Sequence, residues 1–430
     1  MKINFISIIE SKIFFLVISI FYKFCLDWSY FKFVSPLFSY AGFELNFTVF
    51  NYITSYVLTI ILIMFTPNLL KQVSDYVLVI FAFCILIPLF TLYGFNSNYS
   101  FYPILVNFLV YFVLYLGLKI RLSDKKVVYP YIANGEIIFK TFCLFMIFYL
   151  VAWYFVSGAV SNFNLDVSKV YEFRDENAEL TNLGVLSYFN SWVLKVFSLA
   201  LIAYSLMKKK YFLFIFLLVL QVFFYGVSAH KSVLFSPLLV FGIYFYLSKT
   251  RSLATVPLLF SSLIVMCMGL YIYNENATLA SMLVRRIFFV PNYLTFVYFD
   301  FFSNNPFAYW TNTFSFIGPA VYPNGIPSTV GSYLGSDELR ANNGFVSSGF
   351  AQAGVIGVAI YTFLFLFILK VINQISQEVG YLWFTLCIVI TPLRTVLISS
   401  DLLTVLLTHG LIFAIILLIL LRKSSVKNDL

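Results

Sequence analysis

"FFYGVSAHKSVLFSP", residues 223–237, interrupts a long apolar sequence and decides how the chain is read. The gap holds His230 and Lys231 side by side. Burying an ionised lysine in hydrocarbon costs several kcal/mol on most scales, so the gap needs a reason. One reading is a tight turn between two membrane helices. The sharper reading is a binding site for something negatively charged.

Outward from this gap, apolar runs of about 18–22 residues recur along the whole chain, each long enough to cross about 30 Å of hydrocarbon as a helix. Of the 430 residues 61% are hydrophobic and 10% charged. Soluble domains carry about 25% charged residues. The mean hydropathy is +0.93. The chain therefore reads as an all-α polytopic membrane protein, a single integral membrane domain over 1–430, with no segment polar and long enough for a soluble domain. No cleavable signal is expected, because the N-terminus runs straight into a span without a small-x-small site. The net charge of +9 reads as membrane orientation, not as nucleic-acid binding. Cys25, Cys84, Cys143, Cys267 and Cys387 lie in or beside apolar runs, without metal spacing or a disulfide framework.

About twelve spans are expected, near 12–30, 46–66, 75–93, 101–119, 137–157, 184–206, 211–228, 232–248, 253–273, 344–369, 380–399 and 402–421. Alternate loops divide the basic residues unevenly. Sixteen fall on one side: Lys2, Lys12, Lys71, Lys119, Arg121, Lys125, Lys126, Lys208, Lys209, Lys210, Lys249, Arg251, Lys370, Arg422, Lys423 and Lys427. Nine fall on the other: Lys23, Lys32, Lys169, Arg174, Lys231, Arg285, Arg286, Arg340 and Arg394. The excess of positive charge inside places both termini in the cytoplasm. Lys231, Arg285, Arg286, Arg340 and Arg394 oppose that rule, so orientation does not explain them. Two external loops are expected: an acidic one over 158–183, with "NLDVSKVYEFRDENAELTN", and a long one over 274–343. Loops of that length in a compact bundle are usually functional.

The long loop has internal pattern. "SMLVRRIFFVPNYLTFVYFDFFSNNPFAYW" (281–310) is aromatic and amphipathic. A helix over 281–302, kinked by Pro291, puts Arg285, Arg286 and Phe289 close together and either lies at the interface or re-enters the bundle. "FIGPAVYPNGIPSTVGSYLG" (316–335) reads as turns. The span after it opens with a polar stripe of Asn343, Ser347, Ser348 and Gln352, expected to line a water-filled cavity open to the outside. Gly344, Gly349, Gly354 and Gly357 allow close helix packing. Bland readings stand beside these. Arg285 and Arg286 can anchor a helix to lipid phosphates, the Gly/Ser stripe can be plain packing, and a lone His230 in a turn is commonly structural. In "ITPLRTVLISSDLLT", Arg394 and Asp401 can form a bridge across a short turn. Convergence favours function: five external basic groups point to an anionic ligand, for which arginine supplies forked contacts and lysine a point charge.

The chain resembles the Wzy-type O-antigen polymerases of bacterial inner membranes. The resemblance rests on the hydropathy of the whole chain, with a large late loop and a smaller one before it, on "SAHKSVLFSPLLVFGIYFYL" (228–247), and on "RRIFFVPNYLTFVYFDFFSNNPFAYW" followed by "NNGFVSSGFAQAGVIGVAIY". The family's arginine-to-glycine loop motif is not matched cleanly, so no role is carried over by motif. The resemblance implies a membrane glycosyltransferase C-type fold, a Gram-negative host and a periplasmic active site. It also implies transfer of a growing glycan from undecaprenyl diphosphate to the non-reducing end of a fresh lipid-linked repeat unit. Membrane lipid and a separate chain-length regulator are implied partners; no cofactor and no metal are expected.

For that chemistry the diphosphate contacts are expected from Lys231, Arg285, Arg286, Arg340 and Arg394, with Arg286 also stabilising the leaving group. The general base is sought among His230, Glu275, Asp300, Asp337 and Glu338. His230 leads, since Lys231 beside it favours the neutral imidazole, and Asp300 follows; Asp337 and Glu338 can instead cap loops. Asn343, Ser348 and Gln352 are the expected cavity lining. His230, Lys231 and Arg285 or Arg286 are expected to meet in one pocket. The rival readings are an O-antigen ligase, which shares the donor, and a lipid-linked oligosaccharide flippase, which predicts two related halves.

Overall fold

The computed structural model describes residues 5–120, 131–166, 177, 180–181 and 186–422. Most of the acidic loop, with Lys169 and Arg174, lies outside the described residues, as do Arg121, Lys125 and Lys126. All regular elements described are helical; pairing of strand type is limited to two isolated bridges, Asn46–Asn96 and Leu69–Ser252. Eight helices among the described residues are long and apolar enough to cross a membrane. They are α1 (Lys12–Ala41), α3 (Val73–Phe95), α4 (Tyr102–Lys119), α5 (Gly135–Val156), α6 (Ser187–Met207), α7 (Tyr211–Ser228), α9 (Thr255–Asn274) and α13 (Phe345–Val379). Shorter apolar helices are α2 (Val49–Phe65), α8 (Lys231–Leu247), α14 (Leu382–Ile398) and α16 (Leu411–Leu420). Further elements include α10 (Ser281–Phe289), α11 (Val290–Asn304), α12 (Ile326–Tyr333) and α15 (Leu402–Leu407). The chain is a multi-pass helical membrane protein.

Caps start several of these helices where the sequence offers a hydroxyl. Ser11 accepts the Phe14 N–H at the head of α1, and Thr48 accepts the Asn51 N–H at the head of α2. α1 runs 30 residues, beyond the expected stop near 30, because a π-turn over Tyr30–Val34 continues the helix to left-handed Gly42. Lys23 and Lys32, tallied above with an external loop, therefore sit inside a helix. Lys23 pairs with Asp27 one turn on, and both side chains are buried. The ammonium lies 4.8 Å from the centre of the Tyr56 ring.

The described residues form two compact units. The first draws on 1–121, 251–370 and 396–402, and it holds α1–α4, α9–α12 and most of α13. Here the late segment does not lie on a surface: from Leu294 to Phe302 every residue but Asp300 is buried. Its contacts trace a dip into the helix bundle. Arg285 lies over Phe38, near the end of α1; Phe289 meets Tyr30; Phe288 meets Tyr22, at the middle of α1. The chain then climbs, with Phe296 stacked on Tyr99 and Phe299 against Tyr102, at the head of α4. Pro291 stands at the start of α11, where its missing N–H costs nothing. A π-turn over Ala82–Leu86 of α3 faces the bottom of the dip. Its loosened carbonyls are taken up by side chains: Tyr22 donates to Phe83 O (2.6 Å) and Asn292 to Cys84 O (2.9 Å).

The span expected over 344–369 is not one rod. At Ala353–Gly354 the backbone leaves the helical region, with Gly354 at φ 58°, ψ −141°. Residues eight apart in an unbroken helix lie about 12 Å apart. Yet a Cβ on Gly357 would stand 2.1 Å from Gly349 O, and the Phe345 and Phe365 rings are 5.1 Å apart. The half-helix 345–352 is therefore folded back on the helix that follows, and the glycines serve that self-packing. The break frees acceptors which the preceding loop uses. Ala308 N–H donates to Ala351 O and Tyr309 N–H to Gln352 O (both 2.9 Å), and Trp310 N–H donates to Gln352 Oε1 (2.7 Å).

The second unit draws on 122–250, 371–395 and 403–430. It contains the opening stretch. α7 ends in left-handed Ala229 (φ 53°), and His230 caps α8. The last apolar run, expected to be continuous over 402–421, is also broken: α15 ends at Leu407 and α16 starts after left-handed Gly410 (φ 78°).

A methyl group at the Gly349–Gly357 crossing should be costly. Gly357→Ala is expected to destabilise the detergent-solubilised protein by about 1–3 kcal/mol or more. Gly269→Ala on α9 meets no atom within 4 Å. That change should be neutral or stabilising by up to about 1 kcal/mol. Thermal unfolding of the two variants checks the contrast.

Candidate functional site

The second unit gathers three basic side chains around the break between α15 and α16. Lys195 stands on a π-turn, Val193–Phe197, in the middle of α6. His409 occupies the break itself. The ammonium of Lys195 donates to His409 Nδ1 at 2.7 Å, and Ser191 Oγ lies 3.4 Å from the same nitrogen. An ammonium has no acceptor, so Nδ1 accepts and the ring proton sits on Nε2. Arg394, on α14, is exposed and lies near enough for its charge to act on Lys195. The break is shaped around this cluster. Trp192 Nε1 donates to Leu407 O (2.5 Å), neutralising the negative end of α15. No side chain caps the start of α16, so its free N–H groups turn their positive end toward His409. Gly410 is required twice: its φ is left-handed, and a Cβ would come within 3.0 Å of Val196 Cγ2.

Helix rise sets the depth of the cluster. Lys195 lies thirteen residues before Lys208 and Arg394 twelve after Leu382, so each is about 18–20 Å along its helix. His409 lies about 16 Å from the far end of α16. That depth is near the middle of a bilayer, where unpaired charge is least tolerated. Among the described residues no carboxylate forms an ion pair with any of the three; the ion pairs are Lys23–Asp27, Lys208–Glu136 and Arg422–Glu378. The arrangement offers an ammonium, a guanidinium and an imidazole N–H as donors.

Of the expected site residues, Arg394 alone belongs to this cluster. His230 and Lys231 form the α7–α8 turn, with His230 exposed; the Arg394 and Lys231 regions both belong to the second unit. The remainder belong to the first. Arg285 is half-buried, its Nε donating to Ser281 Oγ (3.1 Å) and its guanidinium 4.2 Å from the Phe38 ring centre. Burial, and then Arg286, pull its pKa below the ordinary arginine value. Arg286, Arg340, Glu275, Asp337 and Glu338 are exposed. Asp300 is exposed and accepts the Tyr333 hydroxyl at 2.7 Å.

The polar stripe is buried and bonded within the unit, not open. Asn343 donates to Pro291 O, Thr295 Oγ1 and Ser347 Oγ (3.1–3.2 Å). With Asn107, Asn292 and Ser347 it borders a cavity of about 10 Å³, room for one water. Ser348 donates to Asn343 O, and Gln352 serves Trp310. Asp401, expected opposite Arg394, accepts the Tyr361 hydroxyl (2.7 Å), which in turn accepts Trp310 Nε1–H (3.1 Å).

Lys195 and His409 were legible in principle. A lysine within the apolar run 184–206 opposes hydropathy as strongly as any loop arginine. His409-Gly410 carries the residue type that breaks a helix. Loop counting passes over both.

An anion that binds here should stabilise the folded protein. Inorganic pyrophosphate at ten times its Kd is expected to add about 1.4 kcal/mol to the solubilised wild type. Lys195→Met and Arg394→Ala should remove that increment, with chloride at equal ionic strength as control. Thermal unfolding measures it, and an unchanged increment in both variants would assign the anion elsewhere.

Comparison of the chain with protein-family models, with curated proteins and with solved structures finds no match.

Proposed function

We propose that the protein is a polymerising glycosyltransferase of a Gram-negative inner membrane, of the kind its sequence resembles. It transfers a growing glycan from undecaprenyl diphosphate to the non-reducing end of a new undecaprenyl-diphosphate-linked repeat unit. The reaction takes place on the periplasmic side, with both termini in the cytoplasm. The eight long apolar helices, with four shorter ones beside them, are compatible with the twelve crossings expected, and 274–343 is proposed as the large periplasmic segment.

The observation that carries the reading is the Lys195–His409 contact with Arg394 near it, part-buried and exposed groups that form no ion pair with a carboxylate among the described residues. An acceptor hydroxyl attacks the anomeric carbon, the bond from that carbon to the diphosphate oxygen breaks, and the diphosphate departs with one more negative charge. Preorganised cations in a dry setting stabilise that developing charge most. His409, with Nδ1 occupied by Lys195, presents Nε2–H as a donor to a phosphate oxygen. The acceptor's proton goes to a separate base, for which His230 and Asp300 are the candidates. Lys231, Arg285, Arg286 and Arg340 supply further cationic contacts to lipid-linked substrate. A chain-length regulator is the expected protein partner.

A second reading has specific support. Discontinuous helices are a device of transporters, here at Ala353–Gly354 and Thr408–Gly410, and the Lys23–Asp27 pair is an intramembrane charge of the sort found along transport pathways. An O-antigen ligase shares the lipid-diphosphate donor.

The lipopolysaccharide ladder separates these. Deletion of a polymerase leaves core carrying a single repeat unit; deletion of a ligase or flippase leaves bare core. Complementation with Arg394→Ala, Lys195→Met or His409→Ala should restore no ladder although each variant reaches the membrane. A normal ladder from all three would remove the cluster from the mechanism.

A further inference from the structure

The dip in the first unit ends in a cleft that the anion cluster does not account for. It has a volume of about 580 Å³, within the range of small-molecule sites. Two stacked ring pairs build its wall: Phe296 on Tyr99 (4.3 Å between centres, 14° between planes) and Phe299 on Phe350 (3.9 Å, 11°). Tyr102 meets both Phe299 and Phe350 edge-on and stays 41% exposed; Tyr333, on α12, is 52% exposed. Asp300 is the one charged residue bordering the cleft. It is also the one residue of 294–302 that is not buried. Tyr333 donates to its Oδ2, and this bond chiefly raises the Tyr333 pKa.

The chemistry of the rim is mixed. Asp300 accepts. Asn98 uses its Oδ1 for Asn46 (2.9 Å), which leaves its amide N–H groups to donate. Ser303 spends its proton on Phe299 O and keeps its lone pairs. Flat aromatic faces beside both donors and acceptors match a pyranose ring, which has apolar C–H faces and an edge of hydroxyls. An aromatic belt at a membrane interface needs rings but no carboxylate among them. A quaternary ammonium would use rings and carboxylate but leave the donors idle.

We propose that this cleft is a glycan-binding subsite, in which Tyr102 and Tyr333 pack on the sugar and Asp300 accepts its hydroxyls. The inference rests on the glycan-transfer reading and names where sugar, as opposed to diphosphate, is held.

The test uses the full chain in nanodiscs and a probe without phosphate: oligosaccharide repeat units released by mild acid from the host's own surface polysaccharide. Calorimetry should detect binding to wild type. Asp300→Asn should weaken it by about tenfold or more, as expected for losing a hydrogen bond to a charged group, and Tyr102→Ala by about tenfold through loss of the ring that packs on the sugar. Tyr333→Phe keeps the ring and serves as a milder second variant. Lys195→Met should leave this binding unchanged. Absence of binding to wild type, or equal binding by all cleft variants, overturns the proposal. So does Asp300-dependent binding of tetramethylammonium in place of the oligosaccharide. If oligosaccharide binds through Asp300 while pyrophosphate fails to stabilise the protein, the sugar subsite stands and the lipid-diphosphate reading falls.

Discussion

Hydrocarbon offers no hydrogen bonds, so every backbone N–H and C=O within the bilayer must find its partner in the protein. The irregular parts of this chain can be read as answers to that demand. Where α3 loosens into a π-turn, Tyr22 and Asn292 bond the loosened carbonyls. Where α13 breaks, three consecutive N–H groups from residues 308–310 bond the exposed acceptors. Where α15 stops, the Trp192 indole takes the last carbonyl. Each irregularity is held by a polar side chain or strand-like segment from a neighbouring element. The polar residues of the late segment are thus largely committed to backbone support, which leaves few groups for chemistry.

The charged groups divide by the same logic. Lys23 and Asp27 lie on one helix one turn apart and neutralise each other, with tyrosine rings around the ammonium. Through the Tyr52 and Tyr56 rings the pair also ties α1 to α2. Among the described residues Lys195, His409 and Arg394 form no ion pair with a carboxylate. Like charges brought together at depth are a stability cost that ligand binding can offset. That contrast is what supports the proposed anion site at the trio and not at the pair.

Much of the fold was legible because membrane helices announce themselves by length. The apolar runs of α4, α7 and α9 begin and end within two residues of where hydropathy places them. Reversals were not legible. Glycines eight apart, as at 349 and 357, read as a face for another helix; hydropathy reports that a face is buried, never against what. The amphipathic pattern over 281–302 did reveal a helix, but its burial on nearly every side came from the neighbours that enclose the dip. At the site, Arg394 was readable as a charge out of place. Lys195 was hidden by the apolar residues around it, and His409 only gains meaning once the α15–α16 break brings it to Lys195.

The folded-back half-helix also constrains how the chain is made. Eight residues of helix reach about 12 Å, well short of the hydrocarbon thickness, so 345–352 has no stable crossing of its own. Its burial comes from both directions of the chain: Phe81, Tyr102 and Phe299 precede it, and Phe365 lies on the longer arm that follows. When the half-helix emerges, the elements that pack one side of it already exist, and the arm that packs the other side completes the pair of helices, so this region is assembled as a hairpin against a preformed wall.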